Sequence, residues 1–351
     1  HSSSWRSWPH DNRNANVQYI ESSRIFKHET NMIELKEPPK IDLTQLRKDS
    51  PDYKKTIREI KQAALDPGFF CLENISEKQA DLFENTKKQM DVFFSLGSDD
   101  PIKLDIDTTG SDNSYGWMPM FQEPAYEAGT LAHLESFDFG RRKKSTEKSC
   151  YKPNRWPKIK SFRKDIRNIW DAYTNIGMLT LDAINEAFEF PSEFLKNNSS
   201  TQDLSTMRLL NYPKVDSSLI NKNNVGISAH TDFECITLIS QTSPGLEVKG
   251  VNGDWYKAST DDKKIMVIFG KMLEVWTNGE IKATPHRVLN RGWQRYSIVM
   301  FFGVNDEITV KPLAQFTQNK ESNFAPIKQR AHIDKEIKKA LENRDSLSDV
   351  K

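Results

Sequence analysis

A β-rich α+β fold, with a double-stranded β-helix (jelly-roll) core and flanking helices, is predicted by three features of this 351-residue sequence. Eight short stretches rich in β-branched and aromatic residues follow one another between residues 206 and 304. Turn signals such as Pro244-Gly245, Asn252-Gly253 and Asn278-Gly279 separate them. Ahead of them lie apolar stripes at helical spacing, the longest over 159–187. Antiparallel strands spaced this closely suggest a double-sheet jelly roll, whose open mouth can hold a small ligand.

Taken in order, residues 1–37 are polar and irregular, and an irregular N-terminal tail is expected there. A mixed helical region follows over 38–200. Ser50 is placed to cap a helix with Pro51 at its first position, and Tyr53, Ile57, Ile60 and Ala64 form its apolar stripe. Asp66-Pro67-Gly68 ends it, and 68–74 (GFFCLEN) has the pattern of a buried strand. Ser76 with Gln79 predicts a capping box for a second helix carrying Phe83, Met90, Phe93 and Phe94.

The stripe from Ile159 to Ala187 predicts a long helix packed outside the core. Strands are predicted at 206–213, 225–231, 235–241, 245–251, 254–259, 264–269, 284–290 and 295–304, giving a jelly-roll core over 201–310. A C-terminal helical tail, 311–351, is helical near Ile333 to Leu341. All of this is read as one domain.

With 50 basic and 49 acidic residues the net charge is +1, which offers no electrostatic case for nucleic acid or an anionic membrane surface. The longest apolar run, Tyr296 to Val304, falls short of the roughly 20 residues that span a bilayer. The N-terminal residues carry no apolar run of a signal peptide. Cys71, Cys150 and Cys235 are odd in number and widely spaced, so neither a disulfide framework nor a zinc knuckle is indicated. A cytoplasmic monomer acting on a small molecule is the expectation.

Chemistry concentrates in the last hundred residues of the core. His230 and Asp232 are two residues apart on a strand pattern, a spacing that projects both side chains from one face. His286 follows 56 residues later and joins them if the fold brings a late strand beside an early one. Two imidazoles and a carboxylate suit non-haem Fe(II) with several open positions, and a zinc site with one. A lone His-x-Asp is common as a surface turn or a core pair, so the ligand set alone decides nothing. Nine residues past His286, Arg295 and Ser297 share a strand face, and a guanidinium beside a hydroxyl suits carboxylate capture.

Together, GISAHTDFECITLISQ, GLEVKG with DWYKA, LEVWTNGEIKATPHRVLN and RYSIVMFF resemble the isopenicillin-N-synthase-like family of Fe(II)/2-oxoglutarate-dependent oxygenases. The resemblance spans about residues 38–310 and is motif-specific over 206–303. It implies that His230, Asp232 and His286 hold Fe(II), and that Arg295, Ser297 and Tyr212 bind 2-oxoglutarate. It further implies reaction with O2, release of succinate and CO2, and hydrogen abstraction from a substrate that is then hydroxylated, desaturated or closed into a ring. One departure is Leu210, where many plant members carry an Asn that contacts 2-oxoglutarate. Isopenicillin N synthase itself uses no 2-oxoglutarate, which leaves an oxidase of that kind as an alternative.

Tyr115, Trp117, Phe137 and Phe301 are expected in the pocket wall from their match to the family's mouth segments and final strand. Arg208 shares the parity of Tyr212, so it is expected to face inward. An inward guanidinium needs an anionic partner, which points either to a carboxylate-bearing, amino-acid-derived substrate or to a structural pair with an acid such as Glu135. Two further readings stand beside the oxygenase. A non-catalytic metal-binding jelly roll would do without the Arg-x-Ser pair. A zinc hydrolase would want a base such as Glu234.

Overall fold

The computed structural model describes residues 35–348, apart from 149, 220–223, 262, 291 and 319. Most of the N-terminal tail, with His1, His10 and His28, therefore lies outside the described residues.

The core is a double-sheet jelly roll, as the strand spacing predicts. The larger sheet is built from β1 (Lys40–Asp42), β2 (Phe69–Glu73), β3 (Gly116–Met118), β5 (Glu135–Gly140), β6 (Thr206–Tyr212), β9 (Ile236–Gln241), β12 (Ile265–Phe269) and β14 (Arg295–Phe302). Among the described residues these eight strands lie in the order β1-β2-β12-β9-β14-β6-β5-β3. The smaller sheet is formed by β8 (Ile227–His230), β10 (Leu246–Lys249), β11 (Trp255–Lys257) and β13 (His286–Val288), in the order β11-β10-β13-β8. A short parallel pair joins β4 (Leu131–Ala132) to β7 (Asn224–Val225). All eight predicted stretches carry strand. The 225–231 stretch divides at Gly226, where an added Cβ would meet the Val288 carbonyl at 2.8 Å.

Four strands of the larger sheet come from 38–200, so that region is part of the jelly roll as well as its helical cover. The cover comprises α1 (Tyr53–Leu65), α2 (Glu77–Phe94) and α3 (Phe162–Ala187). The Ser76–Gln79 capping box is present, and both directions of its bonding are made. Helix α1 starts two residues after the expected Pro51, because Ser50–Asp52 form a turn closed by Tyr53 N to the Ser50 carbonyl at 3.2 Å. A short helix, α4 (Lys271–Trp276), follows β12, and α5 (Gln329–Ser348) is the last element among the described residues.

The alternation of each central strand separates two apolar clusters. On β14, Tyr296, Ile298, Met300 and Phe302 pack toward the helices, with Phe137, Phe139, Met207, Leu209 and Leu238. The opposite face carries Leu210, Ile239, Met266 and Val299 and packs against Val248 and Val288 of the smaller sheet. Helix α3 approaches closely because Gly177 leaves room for the Phe302 ring; a Cβ at Gly177 would lie 2.0 Å from its Cζ. Tyr173 of α3 shares a 2.6 Å hydrogen bond with Ser240 on β9. No helix among the described residues is long and apolar enough to cross a membrane.

Candidate active site

His230, Asp232 and His286 come together between the sheets, their ligand atoms all within 4.8 Å of one another. The antiparallel pairing of β8 with β13 sets His286 directly opposite His230. Each imidazole is fixed by its own backbone. His230 Nδ1 lies 2.8 Å from the Ser228 carbonyl and His286 Nδ1 lies 3.0 Å from that of Thr284. A carbonyl only accepts, so both Nδ1 atoms carry the proton and both Nε2 lone pairs are free.

Those Nε2 atoms sit 3.7 Å and 3.5 Å from Asp232 Oδ1. The other carboxylate oxygen, Oδ2, accepts from the Thr237 hydroxyl on β9. Burial, aided by the neighbouring His286, pulls His230 down to about 4, so the ring is neutral at pH 7. Two imidazole nitrogens and one carboxylate oxygen converging from two backbone segments can share one divalent ion. The outer hydrogen bonds orient them as metal-ligating side chains usually are.

Above the three ligands lies a cavity of about 440 Å³, within the range of small-molecule sites. Its wall includes Arg208, Leu210, Tyr212, Arg295, Ser297, Val299 and Phe301, the inward faces of β6 and β14. Ile333 and Ile337 of α5 and Tyr126 of the 119–130 segment also line it.

Two family models match the chain. The N-terminal model of non-haem dioxygenases in morphine synthesis covers residues 38–159, and the 2OG-Fe(II) oxygenase superfamily model covers 204–304. The chain belongs to the Fe(II)/2-oxoglutarate-dependent oxygenases. It is a non-haem dioxygenase using Fe(II), 2-oxoglutarate and O2.

The 2-oxoglutarate-dependent dioxygenase citB of Monascus ruber is 29% identical over 302 residues, spanning 80% of this chain and 89% of that one. A homoarginine-6-hydroxylase of Arabidopsis thaliana is 27% identical, over 80% of this chain and 81% of its own. Among solved structures, a full-length Neurospora crassa protein in complex with alpha-KG superposes with a TM-score of 0.73 at 24% identity, covering 86% of this chain and 95% of that one. A 2OG-Fe(II) oxygenase family protein from Caulobacter crescentus gives a TM-score of 0.73 at 23% identity, with 86% and 98% covered. Both solved structures share the jelly-roll fold of this oxygenase.

The residues expected at the cosubstrate fit a dicarboxylate. Arg295 is buried and stacks over the Tyr212 ring at 4.7 Å, directly across the β14–β6 pair. Its Nε donates to Gln241 Oε1 at 2.8 Å, yet its buried Nη1 has no partner among the described residues. A buried guanidinium nitrogen left unbonded is costly, and a carboxylate oxygen is its natural complement. Gly245 makes room, since a Cβ there would stand 2.9 Å from Arg295 Cδ. The Ser297 hydroxyl lines the same wall and donates to the Ser240 carbonyl at 3.1 Å, so it must turn to serve a ligand.

The expected pocket-wall residues divide. Tyr115 and Phe301 line the cavity. Trp117 and Phe137 do not, and the reason is parity. Asp138 pairs with Arg208 on the inward face, which turns Phe137 and its cross-strand neighbour Trp117 toward the helices. Phe137 packs on Phe93 and Phe162, while Trp117 Nε1 donates to Glu135 at 2.7 Å.

Arg208 does face inward, but its charge is already engaged. Glu123 takes Nη1 and Nη2 at 3.0 and 2.8 Å, and Asp138 takes Nε at 2.9 Å. Glu135, the expected structural partner, instead binds the buried Lys103 at 3.0 Å. The premise that Arg208 awaits a substrate carboxylate is therefore corrected.

Several site residues carried no signal in the reading of motifs. Thr237 and Gln241 share one face of β9, opposite Phe301 and Ser297 of β14, and the odd steps that separate them from Asp232 hide them from parity. Glu123 and Tyr126 lie in a segment without periodicity, and nothing local marks them.

Proposed function

We propose that His230, Asp232 and His286 hold Fe(II), that Arg295, Ser297 and Tyr212 hold 2-oxoglutarate, and that the enzyme thereby oxidises a small metabolite. The observation that carries this reading is the unpartnered Arg295 Nη1, buried in the same cavity as three convergent metal-ligating side chains. An isopenicillin-synthase-like use of Arg295 would need a substrate carboxylate in that place. Relatives named as 2-oxoglutarate-dependent dioxygenases favour the cosubstrate.

When bound, Fe(II) with 2-oxoglutarate and O2 supplies the oxidising power that removes hydrogen from an unactivated C–H bond. The protein's share is orientation and exclusion of water. Ser228 and Thr284 carbonyls hold both imidazoles in one tautomer, and Thr237 holds one oxygen of Asp232 so that the other faces the ion. Arg295 fixes the remote end of the cosubstrate while Leu210, Ile239 and Val299 keep that end of the cavity apolar. Placement of the substrate against this centre then selects among hydroxylation, desaturation and ring closure. An amino-acid-derived substrate gains support from the similarity to a homoarginine-6-hydroxylase.

The test is anaerobic addition of Fe(II) and 2-oxoglutarate to the purified chain. A weak visible charge-transfer band is expected, together with succinate on admission of O2. A chain that binds iron but neither develops the band nor yields succinate would refute the reading.

A further inference from the structure

On the metal side of the cavity, among the described residues, two carboxylates share one guanidinium. Arg208 is bonded by Glu123 on one edge and by Asp138 on the other, so one guanidinium serves two acids. Other basic groups of the wall are committed elsewhere. Arg141 pairs with Asp203 and Glu147, Lys152 with Asp112, and Arg330 with Asp306. Lys143 belongs to the same 141–152 segment as Arg141 and Lys152, not to the strands around the metal ligands.

Bound iron would be balanced by Asp232 and the cosubstrate, and Arg295 by the cosubstrate's far carboxylate. Arg208 then stands against two acids, Glu123 and Asp138. Burial raises the Asp138 carboxyl even with Arg208 beside it, and Glu123 adds to the rise. Buried, unmatched carboxylate is costly unless a cation arrives to complete it. Tyr126, on the same segment as Glu123, adds an aromatic ring to this wall, and such rings attract cations.

We propose that Glu123 determines specificity, giving the metal-side wall a net negative charge that selects a substrate bearing an ammonium or guanidinium group over one presenting a carboxylate. The proposal rests on the assignment of the cavity as the oxygenase site. It reverses the charge first expected from Arg208, because the two acids on that residue outweigh it.

The experiment is calorimetric titration of the full chain, preloaded with Zn(II) and 2-oxoglutarate, with three probes of similar size: butylguanidinium, pentanoate and pentanamide. Butylguanidinium is expected to bind at least about tenfold more tightly than the other two, a difference worth one power of ten in Kd. Glu123→Gln should erase that preference. Asp138→Asn, which removes charge from the cluster without altering the cavity wall, should reduce it in the same direction and serves if the first variant fails to fold. Equal or tighter binding of pentanoate by the parent overturns the proposal, as does an unchanged preference in a folded variant. A parent that takes up no 2-oxoglutarate overturns the site assignment itself, and this proposal with it.

Discussion

The ring of Tyr126 lies flat on the imidazole of His230, with centroids 4.4 Å apart and planes 15° from parallel. The 119–130 segment that carries Tyr126 is tied down by Glu127 N to the Ser228 hydroxyl at 3.1 Å and by Ala125 N to the Ala340 carbonyl at 3.0 Å. Stacking of this kind is worth about 0.5–1.5 kcal/mol beyond buried area, and it restricts the ring of a metal-ligating residue. Tyr126→Leu is therefore expected to weaken Co(II) binding by roughly threefold to tenfold, with Tyr126→Phe near the parent value. Equal losses in both variants would show that the hydroxyl, not the stack, matters.

Asp232 supplies the carboxylate oxygen nearest both imidazoles, so Asp232→Ala should abolish metal-dependent O2 consumption. Thr237→Val keeps the ligand but frees its second oxygen, and loss of such an outer contact typically costs about 10–100-fold in affinity or activity. Full turnover in the Asp232 variant would remove the metal assignment.

Arg295→Gln should raise the apparent constant for 2-oxoglutarate by about one to two powers of ten, from the roughly 1.5–3 kcal/mol of a charge-assisted contact. Iron affinity should hardly change, because Arg295 is bonded to Gln241 and stacked on Tyr212 rather than on a metal-side group. Saturation curves for cosubstrate and metal, measured side by side, separate the two effects.

In the metal-free protein His230 is held at about 4, against an ordinary 6.5. Between those values the unfolded chain binds more protons than the folded one, so stability rises with pH. The contribution, at most about 3 kcal/mol, is present above pH 6.5 and is lost as the pH falls toward 4. Urea midpoints of the chelated protein at pH 7.5, 6 and 5 should fall in that order, and replacement of His230 by Gln should flatten the trend.

Gly177→Ala would ordinarily favour a helix interior, by close to 1 kcal/mol. Here the added methyl meets the Phe302 ring within the core, and overpacking of this kind costs about 1–3 kcal/mol. A net loss of stability is expected, read as a lower denaturation midpoint. A gain would mean that the ring has room to turn.

The site was legible where it obeys short-range rules. Arg295 and Ser297 are neighbours at a spacing of two on one strand, and His230 and Asp232 keep the same spacing across the end of β8, so neither pair depends on what the strands pair with. Trp117 and Phe137 failed for the complementary reason. Which face of β5 looks inward depends on its register with β6, and a shift of one residue reverses every side chain. Arg208 was placed on the correct face by parity with Tyr212, but its partners could not be read, since Glu123 is 85 residues away in an aperiodic segment. The fold class followed from turn spacing, whereas the four strands that 38–200 adds to the larger sheet depend on pairings distant in sequence.

β8 is the outermost strand of the smaller sheet, joined to β13 through the His230–His286 rung, with a register irregularity before Val288 meets Ile227. An ion bound by both imidazoles would act as a detachable staple across that rung, holding a strand whose other edge has no partner in its sheet among the described residues. Amide exchange at Ala229 and His230 should then slow on metal addition, while β9 and β12, interior to the larger sheet, change little. Without the staple the strand is freer to peel away and offer its backbone to another molecule, so chelator-treated protein is expected to scatter more light on storage than protein kept loaded.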